Sequence, residues 1–257
     1  MGRAYTRAVS PRLAECALTH LERQSIDPAR AAAQHAAYEA ALESAGFTVT
    51  RLPALPDQPD AVFVEDTAVL IGDHALVTRP GADSRLGEAN ATAAGLAASY
   101  FTVHRMVSGR LDGGDVLRIG TTLYVGLSSR TDRAGAAALE AFAAPFGHRV
   151  VRVELAECLH LKTAVTFAGS DGAGNPTLLV NSAWVDPALF ADVDPLCVDE
   201  AAAANCLRAG NRLILPASNP RTAERLRQRG FDLVEVDVSE LQKAEAGVTC
   251  MSLIAGE

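Results

Sequence analysis

Apolar positions along the chain fall in short β-branched runs and in longer Ala-rich stretches, with Gly, Pro, Asn and Asp gathered between them. The clearest helix runs from Pro28 to Ala45: Asp27 stands where an N-cap belongs, Pro28 suits the first turn, and Gly46 supplies a stop. Phe47–Leu52 alternates and is β-branched, which predicts a strand. The order then repeats. Ala61–Val64, Thr67–Ile71 and His74–Thr78 read as strand, Asp83–Ser99 as helix and Phe101–Met106 as strand. Asp115–Ile119 and Thr122–Val125 precede a helix over Thr131–Phe146 and a strand over His148–Val153. A third unit starts at Leu161–Phe167, turns through Gly169–Pro176 and returns as Thr177–Asn181, with only a short, weakly patterned helical part after Ser182. A fourth holds Arg212–Leu215, a helix over Asn219–Arg229 stopped by Gly230, and Phe231–Val236.

What remains is a C-terminal strand, Gly247–Ile254, an N-terminal strand, Gly2–Thr6, and the helix and strand within 27–52. Joined across the termini, these pieces make a fifth unit of the same kind. The pattern predicts an α/β fold of five strand–strand–helix–strand modules, and pairing of the first and last strands would close them into a ring without exposed sheet edges. An open α/β sheet with hairpins accommodates the same elements. No connecting segment is long and Gly/Ser-rich enough to be a linker, so residues 1–257 read as one domain.

Apolar residues make up 49% of the chain and charged ones 21%, enough to bury a sizeable core, which excludes disorder and fibrous structure. The formal charge of −8 argues against nucleic-acid and anionic-membrane partners and leaves room for a cationic ligand. No apolar run is long enough to span a membrane and no signal-like stretch opens the chain, so a cytoplasmic protein is expected. The five cysteines, Cys16, Cys158, Cys197, Cys206 and Cys250, follow neither a disulfide framework nor zinc-finger spacing. Phosphate-cradle, nucleophile-elbow and HExxH motifs are absent; the glycines of 172–174 belong to a hairpin turn.

Four ionisable features sit in unusual places. Glu65 and Asp66 interrupt the apolar run VFVEDTAVLI, Asp112 and Asp115 flank a double glycine, His160 lies in CLHLKTAV, and Cys250 lies in GVTCMSLI. Each alone fits a turn or a core. Their spacing is the stronger signal: Asp66 to Asp112 is 46 residues, Asp112 to His160 is 48, and His160 to Cys250 is 90, two steps of 45 with Asn205 at the intermediate one. In a ring of modules, equivalent points face a common axis, so two carboxylates, an imidazole and a thiol would converge there.

The stretches PDAVFVEDTAVL, VTRPGADSR, LDGGDVL, TLYVGLSSRTDRAG, LHLKTAV, AAANC and VTCMSLI resemble those of the dimethylarginine dimethylaminohydrolase family, within the guanidino-group-modifying (pentein) superfamily of five-bladed α/β propellers. The resemblance runs from Arg7 to Ile254. It implies a small-molecule substrate, a methylated arginine cleaved to citrulline and dimethylamine through a covalent S-alkylthiouronium intermediate. Cys250 would be the nucleophile and His160 the acid and base. Asp66 and Asp112 would hold the guanidinium with Glu65 in support. Arg79 and Arg130 match carboxylate-binding arginines; Asp60 and the carbonyls of Val9 and Ala244 match contacts to the α-amino group. Pro11–Ile26 matches a mobile lid. No cofactor is implied. Zinc captured at Cys250 and His160, with Cys158 as nearest third ligand, would inhibit. Arginine or another substituted guanidine remains an alternative substrate, by deiminase, dihydrolase or amidinotransferase chemistry, as does a catalytically inactive ring that binds amino acids. A monomer or a homodimer is compatible with the sequence.

Overall fold

The computed structural model describes residues 2–155 and 158–256. Among them are five three-stranded sheets, each an antiparallel strand pair whose central strand also pairs in parallel with a third. The first blade contains Ala68–Ile71, His74–Val77 and Thr102–Arg105, and the second Val116–Ile119, Thr122–Leu127 and Arg149–Glu154. The third contains Val165–Ser170, Pro176–Val180 and Asp194–Cys197, and the fourth Leu207–Ala209, Arg212–Pro216 and Asp232–Val236. The fifth joins the chain ends: Arg3–Thr6 pairs antiparallel with Leu253–Ala255, Arg3 opposite Ala255, and in parallel with Thr48–Arg51. A helix makes the parallel crossover in four blades: Leu86–Ala98, Arg133–Ala143, Pro220–Gln228 and Pro28–Ser44. Asp27 caps the last of these, accepting from the Ala29 and Arg30 amides, as its position before Pro28 predicts.

The ring follows from where the apolar side chains go. Successive residues of a strand point to opposite faces, and here each face meets a different blade. Leu178 and Val180 pack with Leu117 and Tyr124 of the second blade, whereas Leu179 between them packs with Leu213 and Leu215 of the fourth. Ile71 and Leu76 meet Val116 and Leu123; Ala68 and Ala75 meet Tyr5 and Leu253; Ala4 and Phe47 meet Ala209 and Ile214. Five apolar clusters thus lie between five blades, the last returning to the first. The leading strand of every blade faces the axis, where Val69, Leu117, Phe167, Leu207 and Ile254 help to line a channel of about 510 Å³. No helix among the described residues is long and apolar enough to cross a membrane.

The third blade has the short turn Pro187–Leu189, capped by Asp186, in place of a crossover α-helix, as its weakly patterned segment predicts. Two expectations change. Single helical turns stand just ahead of the leading strands, at Val64–Thr67, Gly113–Asp115, Leu161–Ala164 and Thr249–Met251, so the strands expected over Leu161–Phe167 and Gly247–Ile254 begin later, at Val165 and Leu253. Leu161, Ala164 and Met251 are buried in these turns, so the apolar pattern of the following strand runs on into them. Asp194–Cys197 and Leu207–Ala209 are strands without a strand-like pattern; Pro195 is tolerated because its strand pairs on one side only.

Candidate active site

The tight turns ahead of the blades carry the ionisable residues to the axis. Asp112 is the residue before the turn Gly113–Asp115, His160 the residue before Leu161–Ala164, and Glu65, Asp66 and Cys250 lie within their own turns. The double glycine of LDGGD is a matter of room. A Cβ on Gly113 would come within 2.0 Å of the Glu65 carbonyl oxygen, and one on Gly114 within 2.6 Å of His160 Nδ1 and 2.8 Å of an Asp66 oxygen. Asp115 holds the next turn in place, accepting from the Leu161 amide at 2.9 Å and the Ser128 hydroxyl at 2.6 Å.

His160 is buried and donates from Nε2 to Asp112 Oδ2 at 3.0 Å, with Asp66 Oδ1 3.9 Å away. Burial by itself would lower the imidazolium pKa. Asp66, Asp112 and Asp115 outweigh it and push the value up to about 9, so the ring is charged at neutral pH. Burial would likewise raise the Asp66 carboxyl, yet His160, Arg85 and the Gly114 amide hold it below its ordinary value. Arg85, itself buried, reaches Asp66 Oδ2 at 2.5 Å and Glu88 at 2.8 Å, and donates to the Phe63 carbonyl. Glu65 accepts from Lys162 at 2.5 Å and from the Thr249 hydroxyl at 2.9 Å. The surrounding protein pushes the Cys250 thiol up to about 12, with repulsion from Glu65 and Asp66 adding to the effect.

Two small adjoining cavities share His160 and Cys250. One, of about 30 Å³, is also lined by Glu65, Lys162 and Asn205; the other, of about 20 Å³, by Asp60, Asp66, Arg85, Arg130 and Ala244. The segment from Cys16 to Leu21 lies across the second. Ala17 N–H donates to both Asp60 oxygens at 3.2 and 3.3 Å, the Thr19 hydroxyl accepts from Arg130 at 2.9 Å, and Glu245 accepts from the amides of Thr19, His20 and Leu21.

Cys250, His160, Asp60, Glu65, Asp66, Arg130 and Ala244 therefore converge as their spacing and motifs suggest. Asp112 converges in a different place: it is fully buried and lines neither cavity, one oxygen holding His160 and the other accepting from the Gly81 amide, so it meets the imidazole and not the space beside Cys250. Arg79 does not reach the site. It is exposed and donates to the Gly109 carbonyl, and Arg85, six residues on, lines the cavity instead. The Val9 side chain packs against the core between the fourth and fifth blades, and it is Ala17 of the following segment that lines the cavity. Cys158 is not in a strand beside the ring; its thiol donates to the His160 carbonyl at 3.5 Å. The potential metal-ligating group found among the described residues is Asp66, Asp112 and His160, without either thiol, and the charged Arg85 occupies its edge. Arg85, Lys162 and Glu245 also line the two cavities, and sequence patterns do not single them out. The Glu88 three residues after Arg85, a helical pairing distance, and the rarity of lysine, two in the whole chain, are the signals that mark the first two.

A closed ring of five such blades, sending an imidazole, its partner acid and a thiol to one axis, places the chain among the guanidino-group-modifying propellers. A Pseudomonas aeruginosa member solved as a cysteine-to-serine mutant complexed with citrulline aligns with a TM-score of 0.91 at 34% identity over 98% of each chain. A dimethylarginine dimethylaminohydrolase histidine-to-glycine adduct with S-methyl-L-thiocitrulline gives 0.89 at 34% identity, over 99% of this chain and all of that one. No family model matches the chain. It is 42% identical over 253 residues to the N(G),N(G)-dimethylarginine dimethylaminohydrolase of Streptomyces coelicolor, which covers 98% of this chain and 96% of that one. The chain belongs to the dimethylarginine dimethylaminohydrolase family.

Proposed function

We propose that the protein hydrolyses N-omega-methylated arginine to citrulline and the methylated amine, with Cys250 as nucleophile. The observation that carries this reading is the meeting of Cys250 and the charged His160–Asp112 pair on the cavity that also presents Asp66, Asp60 and Arg130. A guanidinium keeps its charge at any working pH and offers N–H groups in a fork, which suits the Asp66 carboxylate. Its arrival places a cation against the Glu65 and Asp66 charges that hold the thiol protonated, so the substrate itself favours the thiolate, whose proton is lost to water because His160 is already charged. The thiolate adds to the guanidino carbon, the C–N bond to the methylated amine breaks as His160 delivers a proton, and a covalent thiouronium remains. His160, now neutral, takes a proton from water, which attacks the same carbon; the C–S bond breaks and citrulline leaves. No step in this sequence calls for a cofactor.

The other end of the substrate has matching partners. Asp60 suits the α-ammonium, and Arg130 and Arg85 flank the same cavity as donors for the carboxylate. In this closed state Ala17 and Thr19 occupy Asp60 and Arg130, and the space left holds about one water. Substrate entry therefore requires the segment around Cys16–Leu21 to lift. Purified protein offered arginine, monomethylarginine and asymmetric dimethylarginine in parallel, with citrulline and the freed amine both quantified, tests the proposal. Turnover of a methylated arginine that disappears in Cys250→Ser supports it; ammonia release from arginine alone, or citrulline formation that survives Cys250→Ser, overturns it.

A further inference from the structure

Four of the five axial positions carry groups that the proposed chemistry uses. The fourth in ring order is Asn205, midway in sequence between His160 and Cys250 and 3% exposed. Its side-chain amide is fully engaged. Nδ2 donates to the Lys162 carbonyl and to the Thr249 hydroxyl, each at 3.0 Å, and Oδ1 accepts from the Thr249 amide at 3.1 Å. Thr249 donates its hydroxyl to Glu65, which also accepts from the Lys162 ammonium. The contacts form a closed circuit, Glu65–Thr249–Asn205–Lys162–Glu65, drawn from four blades.

The circuit is tied to the reacting groups on both sides. Lys162 is two residues from His160, and its carbonyl belongs to the turn that His160 opens. Thr249 precedes Cys250 in the turn that holds the thiol, and the Gly247 amide donates to Cys250 Sγ at 3.4 Å. Gly247 is pressed on the face of the Asn205 amide so closely that a Cβ there would lie 2.3 Å from its Cγ and Oδ1. A planar amide of this length, with two donors on one atom and an acceptor on the other, satisfies the backbone of both turns at once. A hydroxyl at this position lacks one of the two donors, and a carboxylate lacks both.

We propose that Asn205 is a positioning residue for the reaction: its amide clamps the Cys250 turn to the His160 turn and so sets the approach of the thiol to the imidazole. It touches neither nucleophile nor acid, and acts through Thr249, Gly247 and Lys162. The circuit also forms a wall, because Glu65, Lys162 and Thr249 line both the cavity beside Cys250 and the axial channel of about 510 Å³. Breaking the clamp lets the turn drift and admits water from the channel. Displacements of about 1 Å in a reacting pair can cost on the order of 10²-fold in rate.

The inference rests on the proposed hydrolase reading, so its test has one arm that needs no substrate. Asn205→Ala and Asn205→Asp are compared with wild type for kcat and KM on the methylated arginine that wild type turns over. The rate of Cys250 alkylation by iodoacetamide is followed across pH, and thermal unfolding controls for folding. Asn205→Ala is expected to lose about 10²-fold in kcat with KM changed less than about threefold, since Asp60, Asp66 and Arg130 are untouched. Asn205→Asp retains the acceptor for the Thr249 amide but sets a second negative charge beside Glu65. Its alkylation profile should move to higher pH, with a smaller loss of kcat than the alanine variant. A folded Asn205→Ala whose kcat stays within threefold of wild type overturns the proposal, as does an alkylation profile unchanged in both variants. Absence of turnover in wild type overturns the hydrolase reading instead, while the alkylation comparison still decides the clamp.

Discussion

His160 Nε2 and Asp112 Oδ2 meet at 3.0 Å in the interior, and the contact fixes both the direction and the charge of the imidazole. Asp112→Asn keeps the shape and removes the charge. The His160 pKa should fall from about 9 toward its ordinary value, and kcat should drop on the order of 10²- to 10⁴-fold, as for other acid–imidazole pairs. Histidine NMR titration alongside kinetics reads both. The pair also makes folding pH-dependent. A histidine whose folded pKa is raised to about 9 from 6.5 contributes stability that is complete below 6.5 and is lost as pH rises through 9. The stability gap between wild type and Asp112→Asn should close over that window in denaturant unfolding.

In the free protein Cys250 is a thiol, held so by desolvation and by Glu65 and Asp66, in that order of effect. Alkylation by a neutral reagent should therefore keep rising beyond pH 9, without the plateau near 7 that marks a preformed thiolate–imidazolium pair. Stopped assays from pH 6 to 10 with mass-spectrometric localisation at Cys250 would show the difference, and a plateau below pH 8 would contradict the picture.

Arg79 and Arg85 should behave as opposites. Arg85→Ala strands the carboxylates of Asp66 and Glu88 in the interior, and loss of one partner of a buried pair costs about 3–5 kcal/mol. Arg79→Ala removes an exposed side chain and should alter stability by less than about 0.5 kcal/mol with kcat/KM unchanged. Chemical denaturation and steady-state kinetics on the two variants distinguish them. A reversed order would return the carboxylate role to Arg79.

Glu245 anchors the Thr19, His20 and Leu21 amides across the cavity. Glu245→Gln exchanges charge-assisted hydrogen bonds for neutral ones, which are roughly half as strong. Hydrogen exchange of residues 17–21 should quicken, and kcat/KM should hold or rise if opening limits substrate entry. Unchanged exchange would mean that Ala17–Asp60 and Thr19–Arg130 alone keep the segment down.

Much of this arrangement is legible in the sequence. The recurrence of strand pairs and crossovers marks five units, and the near-constant step between Asp66, Asp112, His160 and Cys250 brings them to one axis. Directions around tight turns are not legible. VTRPGADSR contains two arginines six residues apart, and only the path of the chain from Thr78 into the helix Leu86–Ala98 decides that the second points inward. The path of the segment after the strand Arg3–Thr6 is no more legible: Val9 packs on the core before the chain reaches the cavity at Ala17. Asp112 is legible as a site residue but its partner is not, because the Gly81 amide and His160 that claim its oxygens come from other blades. Asn205 is visible as a missing step, whereas its role depends on three hydrogen bonds to two remote turns.

Pairing of Leu253–Ala255 with Arg3–Tyr5 joins the two ends of the ring only three residues beyond the thiol. The strand that closes the ring thus also anchors the turn that carries Cys250, whereas Asp66, Asp112 and His160 are held ahead of the hairpins of three other blades.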